Sequence, residues 1–508
     1  MVESTLNLSQ IEKELSKNAL IKDAIIIEQD DNTIKAFITL KPLVDPKAEN
    51  RQVKLWRTMF DKGMYATIKN KPGSTIGRDF TGWVCQYNSI PIDIAEMNEW
   101  LDDTIHQILT THGEDHSLDV LELGTGSGMI LFNLIPNLRC YHGLDPSPNV
   151  IDFVAATARS IPSLEGKLHL YQGTALDFHL LKEATPTLAI INSVAQYFPS
   201  SNYLLNVIQG LLDLNTLSTI FFGDMRSFAL EPEFCISKAL SQFGETISKE
   251  DLRKELGQPH SEFLVDPAFF TSLVERLPER IASVEILPKH MKASNELVQY
   301  RYSAVIHVKN SHSQEPMIQP QDWIDFSQQN LNRESLCSLL STTFEDVVAI
   351  SNIPYSKTIF EREVLSSLQI SDEKPDWLSN VRVNSQKIPS LSALDLDLIA
   401  EETGFEVKSS CARQFSQKGG LDAIFCRNSA LGKQFRFPVD HVERKWEWFA
   451  NEPLKGKKIQ VKAGGNPPQA VLDVLKTQGL EGRCDVVILE ELPVKEGMVD
   501  REVLEKMR

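Results

Sequence analysis

Several things are missing from this sequence, and each absence excludes something. No apolar run reaches the length of a membrane span, and the opening "MVESTLNLSQIEKELSK" is charged throughout, with no apolar stretch after a basic start. Membrane spans and a secretory signal are therefore not expected. Cysteine is sparse: Cys85, Cys140, Cys235, Cys337, Cys411, Cys426 and Cys484 lie far apart and form no CxxC pair. They read as reduced thiols of a cytosolic protein, without a zinc site or a disulfide framework. Histidines such as His106, His142 and His169 show no metal-like spacing and read as surface or core residues, so no metal is expected. Basic charge is outweighed: the formal net charge is −17, which argues against a nucleic-acid partner. Internal repeats and low-complexity tracts are also absent.

What is present fits an ordinary globular composition, 42% hydrophobic and 24% charged over 508 residues. That length is too great for a single core, so several domains are expected. Residues 1–48 read as a helix followed by two β-branched strands, "DAIIIEQ" and "IKAFITL", joined by the turn "DDNT". Residues 429–508 contain a basic linker "KGKKIQVKAGGNPPQ", a helix "AVLDVLKTQG" and a strand "CDVVILEEL".

The body between them alternates strands with helices. "LDVLELG", "RCYHGLD", "KLHLYQG", "LAIINSV" and "STIFFGDM" read as strands at the spacing of βαβ units, which predicts a parallel, doubly wound α/β sheet. "ASVEILPK" and "VQYRYSAVIHVKN" follow as two more strands; in the second, Tyr300, Tyr302, Ala304 and Ile306 alternate onto one face.

The first strand runs into "ELGTGSGMILFNLI", where Gly124, Gly126 and Gly128 occupy alternate positions before a helix. Such a turn brings backbone N–H groups and bare Cα atoms against a ligand. A plain tight turn is the bland alternative. The next strand ends in Asp145, an acid placed to accept from two ribose hydroxyls, or to cap the helix after "PSPN". The third glycine follows the second by two residues rather than three. That favours S-adenosylmethionine over a dinucleotide, with no pyrophosphate to seat. Glu122, Thr125 and Pro146 flank these positions. "YQGTALDF" offers Gly173, Thr174 and Ala175 as a small-residue bed for adenine, with Asp177 for its amino group.

Substrate groups are expected at the next strand ends. In "NSVAQYF", Asn192 and Ser193 should face the cofactor, and Gln196 and Tyr197 the substrate, with Phe198 a core aromatic. "GDMRS" adds Asp224 and Arg226, which either pair with each other or hold substrate. "KASNELVQYRY" offers Asn295, Glu296, Tyr300 and Tyr302, with Glu296 the expected acceptor near an amine.

The stretches "VLELGTGSGMILFNL", "INSVAQYFPSSNYL", "IFFGDMRSFAL", "LVDPAFFTSL", "VEILPKHMKASNEL", "YRYSAVIHV", "NIPYSKT" and "GGLDAIFCR" span Trp56 to Arg427. They resemble the methyltransferase domain embedded in adenylation domains of nonribosomal peptide synthetases, especially the fungal N-methylating type. The resemblance implies a Rossmann-like class I methyltransferase with a mostly parallel seven-stranded sheet. It implies a lid over residues 49–115, a cofactor-binding core over 116–310 and an accessory part over 311–428. It also implies methyl transfer from S-adenosylmethionine to the α-amine of an aminoacyl thioester on a peptidyl carrier protein, with other synthetase domains as partners.

The flanks resemble the two halves of the small C-terminal adenylation subdomain, split by the insertion. Where the family's closing motif carries a lysine, "EGMVDR" has Met498, which cannot offer a positive charge to a phosphate. The large adenylation subdomain is not recognisable, so no adenylation is expected. A freestanding N- or O-methyltransferase for a small molecule, and a non-catalytic scaffold of a synthetase, remain the alternatives.

Overall fold

In the computed structural model, the described residues are 8–16, 21–28, 34–40, 46–66, 75–112, 117–256, 258, 261–309, 317–370, 376–431, 433–442, 444–454, 472, 475, 476, 480, 484–489, 494, 495, 498 and 499. The linker, most of the expected helix "AVLDVLKTQG" and the "DDNT" turn lie outside them. The chain divides into two compact units, Met1–Gln52 with Leu454–Arg508, and Val53–Pro453.

In the smaller unit, helix α1 (Leu8–Ser16) precedes β1 (Ile21–Glu28) and β2 (Ile34–Leu40), which pair antiparallel. The strand Cys484–Leu489 adds parallel to β2, so segments from both ends of the sequence share one sheet. Ile11 and Leu15 of α1 pack on Ile21, Ile26, Ile34 and Ile38, joined by Leu475 and Leu480. Met498 falls in a two-residue strand paired with Lys495.

The larger unit is built on β3 (Leu118–Leu123), β4 (Leu138–Asp145), β5 (Leu168–Gln172), β6 (Leu188–Asn192), β7 (Thr219–Arg226), β8 (Ile281–Leu287) and β9 (Arg301–Val308). Their order across the sheet is β5-β4-β3-β6-β7-β9-β8, parallel except for β9, which is antiparallel to both neighbours. This is the seven-stranded sheet of the class I methyltransferase fold. Both faces are covered, and the period-2 alternation of the strands divides their apolar residues between two cores. Leu121, Leu123, Ala189, Ile191, Phe222 and Ala304 enter one core; Val120, Leu188, Ile190, Phe221 and Val305 enter the other. Chain order reverses between β3 and β6, and at such a switch point the carboxyl ends of neighbouring strands diverge and leave a crevice.

The larger unit also carries α3 (Ile94–Thr111), α4 (Met129–Leu134), α5 (Pro148–Ala158), α6 (Ser201–Asp213), α7 (Glu231–Phe243) and the part of α2 (Pro46–Met59) from Val53 onward. A second sheet, β10 (Trp323–Asp325), β11 (Val347–Ile353), β12 (Glu406–Ser410) and β13 (Leu421–Cys426), has the order β10-β11-β13-β12. Its Ile350, Ile353 and Phe425 join the core that holds Leu121 and Phe222.

Two expectations change. Residues 429–453 belong with the larger unit, not with the closing segment, because Asp266 N donates to Phe449 O (2.7 Å) and Leu264 N to Asn451 Oδ1 (2.8 Å). Tyr300 leaves the alternating face of β9. A helical turn over Glu296–Gln299 ends at it, so its ring packs with Leu230 and Phe234 instead.

Candidate active site

At the end of β3 the three glycines all take positive φ: Gly124 +85°, Gly126 +53° and Gly128 +78°. They do so for different reasons. A Cβ at Gly124 would come within 2.3 Å of Val194 Cγ2, and one at Gly128 within 2.5 Å of the Phe132 ring. Those two positions are closed by packing. A Cβ at Gly126 would meet only the Tyr65 hydroxyl, at 3.3 Å. Gly126 is therefore the glycine whose bare face meets only the tip of one side chain, the Tyr65 hydroxyl, rather than the packed core.

Asp145, at the tip of β4, holds this turn. Its Oδ2 accepts from Gly126 N at 3.0 Å and its Oδ1 from Ser147 N at 2.8 Å. The helix cap anticipated for Asp145 is provided instead by Ser147, whose Oγ accepts from Val150 N at the start of α5. Burial pushes the Asp145 carboxyl up to about 6 against the pull of those two N–H groups, and the nearby Asp61 carboxylate adds to the rise. Glu122 is also buried, and desolvation pushes it up to about 8 although the Tyr141 hydroxyl donates to it.

A cavity of about 930 Å³ opens over the switch point. Glu122, Gly124, Thr125, Gly126, Asp145, Pro146, Gly173, Thr174, Ala175, Asn192, Ser193, Gln196, Tyr197, Arg226 and Glu296 all line it. Phe198 both lines it and packs in the core.

The end of the cavity away from the glycine turn is built from charges. Arg226 pairs with Glu262, and Gln86 Nε2 donates to both oxygens of Glu262, at 3.3 and 3.2 Å. Gln86 N donates to Glu296 Oε2 at 2.9 Å, and Arg301 Nη2 lies 3.4 Å from Glu296 Oε1. Arg301 also pairs with Asp224, whose other contacts are Trp100 Nε1 (3.1 Å) and Ser193 Oγ (2.7 Å). Ser193 and Asp224 carry φ of +58° and +59°, so the strand tips of β6 and β7 hold strained backbone where their side chains meet.

The two carboxylates at this end are driven apart. Burial raises Glu296, and Arg301 only partly offsets it. Burial would also raise Glu262, but the Arg226 and Arg301 guanidiniums outweigh it and hold Glu262 below its ordinary value. Among the cavity-lining residues, the buried oxygens Asn192 Oδ1, Gln196 Oε1 and Thr125 Oγ1 have no hydrogen-bond partner among the described residues. Asn192 fits only because β7 has glycine opposite, since a Cβ at Gly223 would sit 2.1 Å from Asn192 Oδ1.

Four expected site residues do not line the cavity. Gly128 serves packing against Phe132. Asp177 turns back on its own loop, accepting from Thr174 N (2.7 Å) and Thr174 Oγ1 (2.9 Å), and so braces the bed rather than facing it. Asp224 is fully buried behind Ser193, paired with Arg301 rather than Arg226. The Tyr300 hydroxyl bonds Ser237 Oγ at 2.7 Å and Glu233 O at 3.2 Å, away from the site.

The sequence reading missed Arg301, Glu262, Gln86, Asp79 and the aromatic cluster Trp56, Phe60 and Tyr65, all of which line the cavity. Arg301 carried a signal: a lone cation inside an apolar strand has to find a buried partner. Glu262 carried none.

No protein-family model matches the chain. Among curated proteins, a nonribosomal peptide synthetase of Metarhizium robertsii, dtxS1, is 43% identical over 98% of this chain, which covers 6% of that protein. A peramine synthetase of Metarhizium majus is 39% identical over 98% of the chain (19% of that protein). The beauvericin synthetase of Gibberella fujikuroi is 38% identical over 98% of the chain (16% of that protein).

Among solved structures, the magnesium protoporphyrin IX methyltransferase of Synechocystis, with S-adenosylhomocysteine bound, is 12% identical. It covers 51% of this chain and 98% of its own, with a TM-score of 0.32. The N-methyltransferase NodS of Bradyrhizobium japonicum, also with S-adenosylhomocysteine, is 13% identical and covers 49% and 99%, with a TM-score of 0.28.

By strand order, then, the larger unit has the class I methyltransferase fold. The chain as a whole is related, over nearly its full length, to one region of fungal nonribosomal peptide synthetases, and spans less than a fifth of each of the relatives named.

Proposed function

We propose that this chain is an S-adenosylmethionine-dependent N-methyltransferase acting on the α-amine of an aminoacyl thioester carried by a peptidyl carrier protein. The observation that carries the amine assignment is the pair of amides Asn192 and Gln196, which line the cavity and whose buried side-chain oxygens have no donor among the described residues. A buried acceptor left without a donor costs about 1–3 kcal/mol, and the N–H groups of an amine supply the donors.

The cofactor fits the residues at the other end. Gly126 offers a bare backbone face covered only by the Tyr65 hydroxyl, and each Asp145 oxygen, already taking one backbone N–H, has a second lone pair for a ribose hydroxyl. Gly173, Thr174 and Ala175 floor the adenine end. When bound, the cofactor supplies a methyl group already activated on a sulfonium.

The chain's own residues orient the acceptor. Alignment of amine and methyl is worth roughly 7–11 kcal/mol, so positioning is the main catalytic task. Asn192 Oδ1 and Gln196 Oε1 direct the nitrogen. Glu296, raised by burial, is a better proton acceptor than an exposed glutamate and takes the departing proton at Oε1 or Oε2. An aminoacyl amine titrates near the free α-amino value of about 8, so no stronger base is required. Arg226 holds Glu262 ionised, which keeps that end of the cavity attractive to a cationic amine before the proton leaves. The Trp56, Phe60 and Tyr197 rings, with centroid separations of 4.8 Å to Tyr197, form an apolar wall that excludes water from the reacting atoms.

Incubating aminoacyl-loaded carrier protein with the chain and S-adenosylmethionine, followed by tandem mass spectrometry, tests this. A methyl on the α-nitrogen is expected. A methyl on oxygen or carbon would overturn the atom assignment, transfer only to free small molecules would favour the freestanding enzyme, and no transfer would favour the scaffold.

A further inference from the structure

Beside the glycine turn, the segment from Thr75 to Trp83 is stapled down from several directions. Asn133 Nδ2 donates to Gly77 O (2.9 Å), and Ser127 Oγ to Asp79 O (3.4 Å). Arg78 is spent on its own side of the segment: Nη1 donates to Asn98 Oδ1 (2.8 Å), and Nη2 pairs with Asp102. That guanidinium does not line the cavity, whereas Asp79 does. The Asp79 carboxylate is aimed by Thr81, whose N (3.1 Å) and Oγ1 (2.5 Å) both donate to Oδ1. Its other oxygen, Oδ2, has no partner among the described residues. Tyr65 lies close enough to feel the charge of both Asp79 and Asp145, and its hydroxyl overhangs the bare face of Gly126.

A positioned carboxylate with one oxygen unengaged among the described residues thus flanks the glycine turn, and the neighbouring cation of its own segment, Arg78, does not line the cavity. We propose that Asp79 is a cofactor-binding residue that pairs with the α-ammonium of the methionyl end of the cofactor. This rests on the cofactor reading above and adds the group that would recognise the amino-acid end. The glycine turn offers backbone N–H groups and Asp145 faces the ribose. Backbone N–H groups cannot neutralise an ammonium, and both Asp145 oxygens are taken by backbone N–H groups and the ribose, whereas Asp79 can accept a charge-assisted bond from the ammonium at Oδ2. Tyr65 then covers that end of the ligand from the opposite side.

The test compares two neutral ligands that share the adenosyl part and differ at the far end. S-Adenosylhomocysteine carries the ammonium; 5′-methylthioadenosine lacks the whole amino-acid group. Asp79→Asn keeps an oxygen for Thr81 and so preserves the local fold, which circular dichroism and the melting temperature would verify.

By calorimetry, Asp79→Asn is expected to weaken S-adenosylhomocysteine at least tenfold and 5′-methylthioadenosine less than twofold. Thr81→Val, which frees the carboxylate to turn, should show the same selectivity at a smaller size. Parallel losses for both ligands, or no loss for either, would overturn the assignment while leaving the cofactor reading intact. Wild-type protein that binds neither ligand would overturn the cofactor reading and this inference with it.

Discussion

The two ends of the cavity are made in different ways. At the glycine end, cavity-lining groups come mostly from a short continuous stretch, Glu122 to Gly126, closed by Asp145 on the adjacent strand. At the charged end, nearly every group is a side chain from a separate segment: Gln86, Gln196, Arg226, Glu262, Glu296 and Arg301. The first end is a local conformation that glycine permits, and the second is a network in which each charge depends on another. Backbone sites tolerate change in their surroundings; networks fail when one member is removed.

The largest effect should therefore come from the network. Arg301→Met leaves Asp224 and Glu296 buried without their shared cation, and stability should fall by about 3–5 kcal/mol in denaturant unfolding. A loss below 1 kcal/mol would mean that the charged end is not an interdependent unit.

The glycine end should show its own signature in pH. The Glu122 carboxyl stands at about 8 in the fold against an ordinary 4.5. The folded state thus holds its proton more tightly than the unfolded state. Stability from this group is complete below pH 4.5 and is lost as pH rises through about 8, by on the order of a few kcal/mol. Glu122→Gln should flatten that slope, and an unchanged melting-temperature profile between pH 5 and 8 in the variant would count against it.

A smaller loss is expected from Asp145→Ala, about 1.5–3 kcal/mol in cofactor affinity. The variant removes the acceptor proposed for the ribose and also leaves Gly126 N and Ser147 N without their partner, so calorimetry should show the affinity loss together with a lowered melting temperature. Gly126→Ala is the matching backbone probe. Its +53° φ makes any side chain strained, so a β-branched replacement would mix strain with occlusion of the ligand.

Least in energy, but sharpest in separating the two ends, is Asn192→Ala. Turnover should drop about tenfold, or ~1.4 kcal/mol, with cofactor affinity nearly unchanged. Tyr197→Phe should shift in the same direction. Equal losses in turnover and affinity would place Asn192 at the cofactor end.

The glycine end was legible because its requirements are local. Alternate glycines after an apolar strand, and an acid ending the next strand, are chemistry written within a few residues of each other. Even there, the sequence could not say that Val194 and Phe132 close off Gly124 and Gly128 while Gly126 meets only the Tyr65 hydroxyl, since these answers come from neighbours that fold in. Asp224 shows the same limit: adjacent in sequence to Arg226, it pairs instead with Arg301 across the β7–β9 pairing, because a bulge between Phe222 and Met225 turns it to the other side.

By itself the sequence determined the alternation of strands and helices, the apolar faces of the sheet and the glycine turn, because periodicity and backbone freedom act over neighbouring residues. Tertiary structure alone decided which carboxylates are raised and which are held down. It also decided which acceptors are left without donors, and which residues of the 75–83 segment face the cavity. Those properties depend on burial and on charges brought together from segments far apart in the chain, as with Gln86 and Glu296, 210 residues apart.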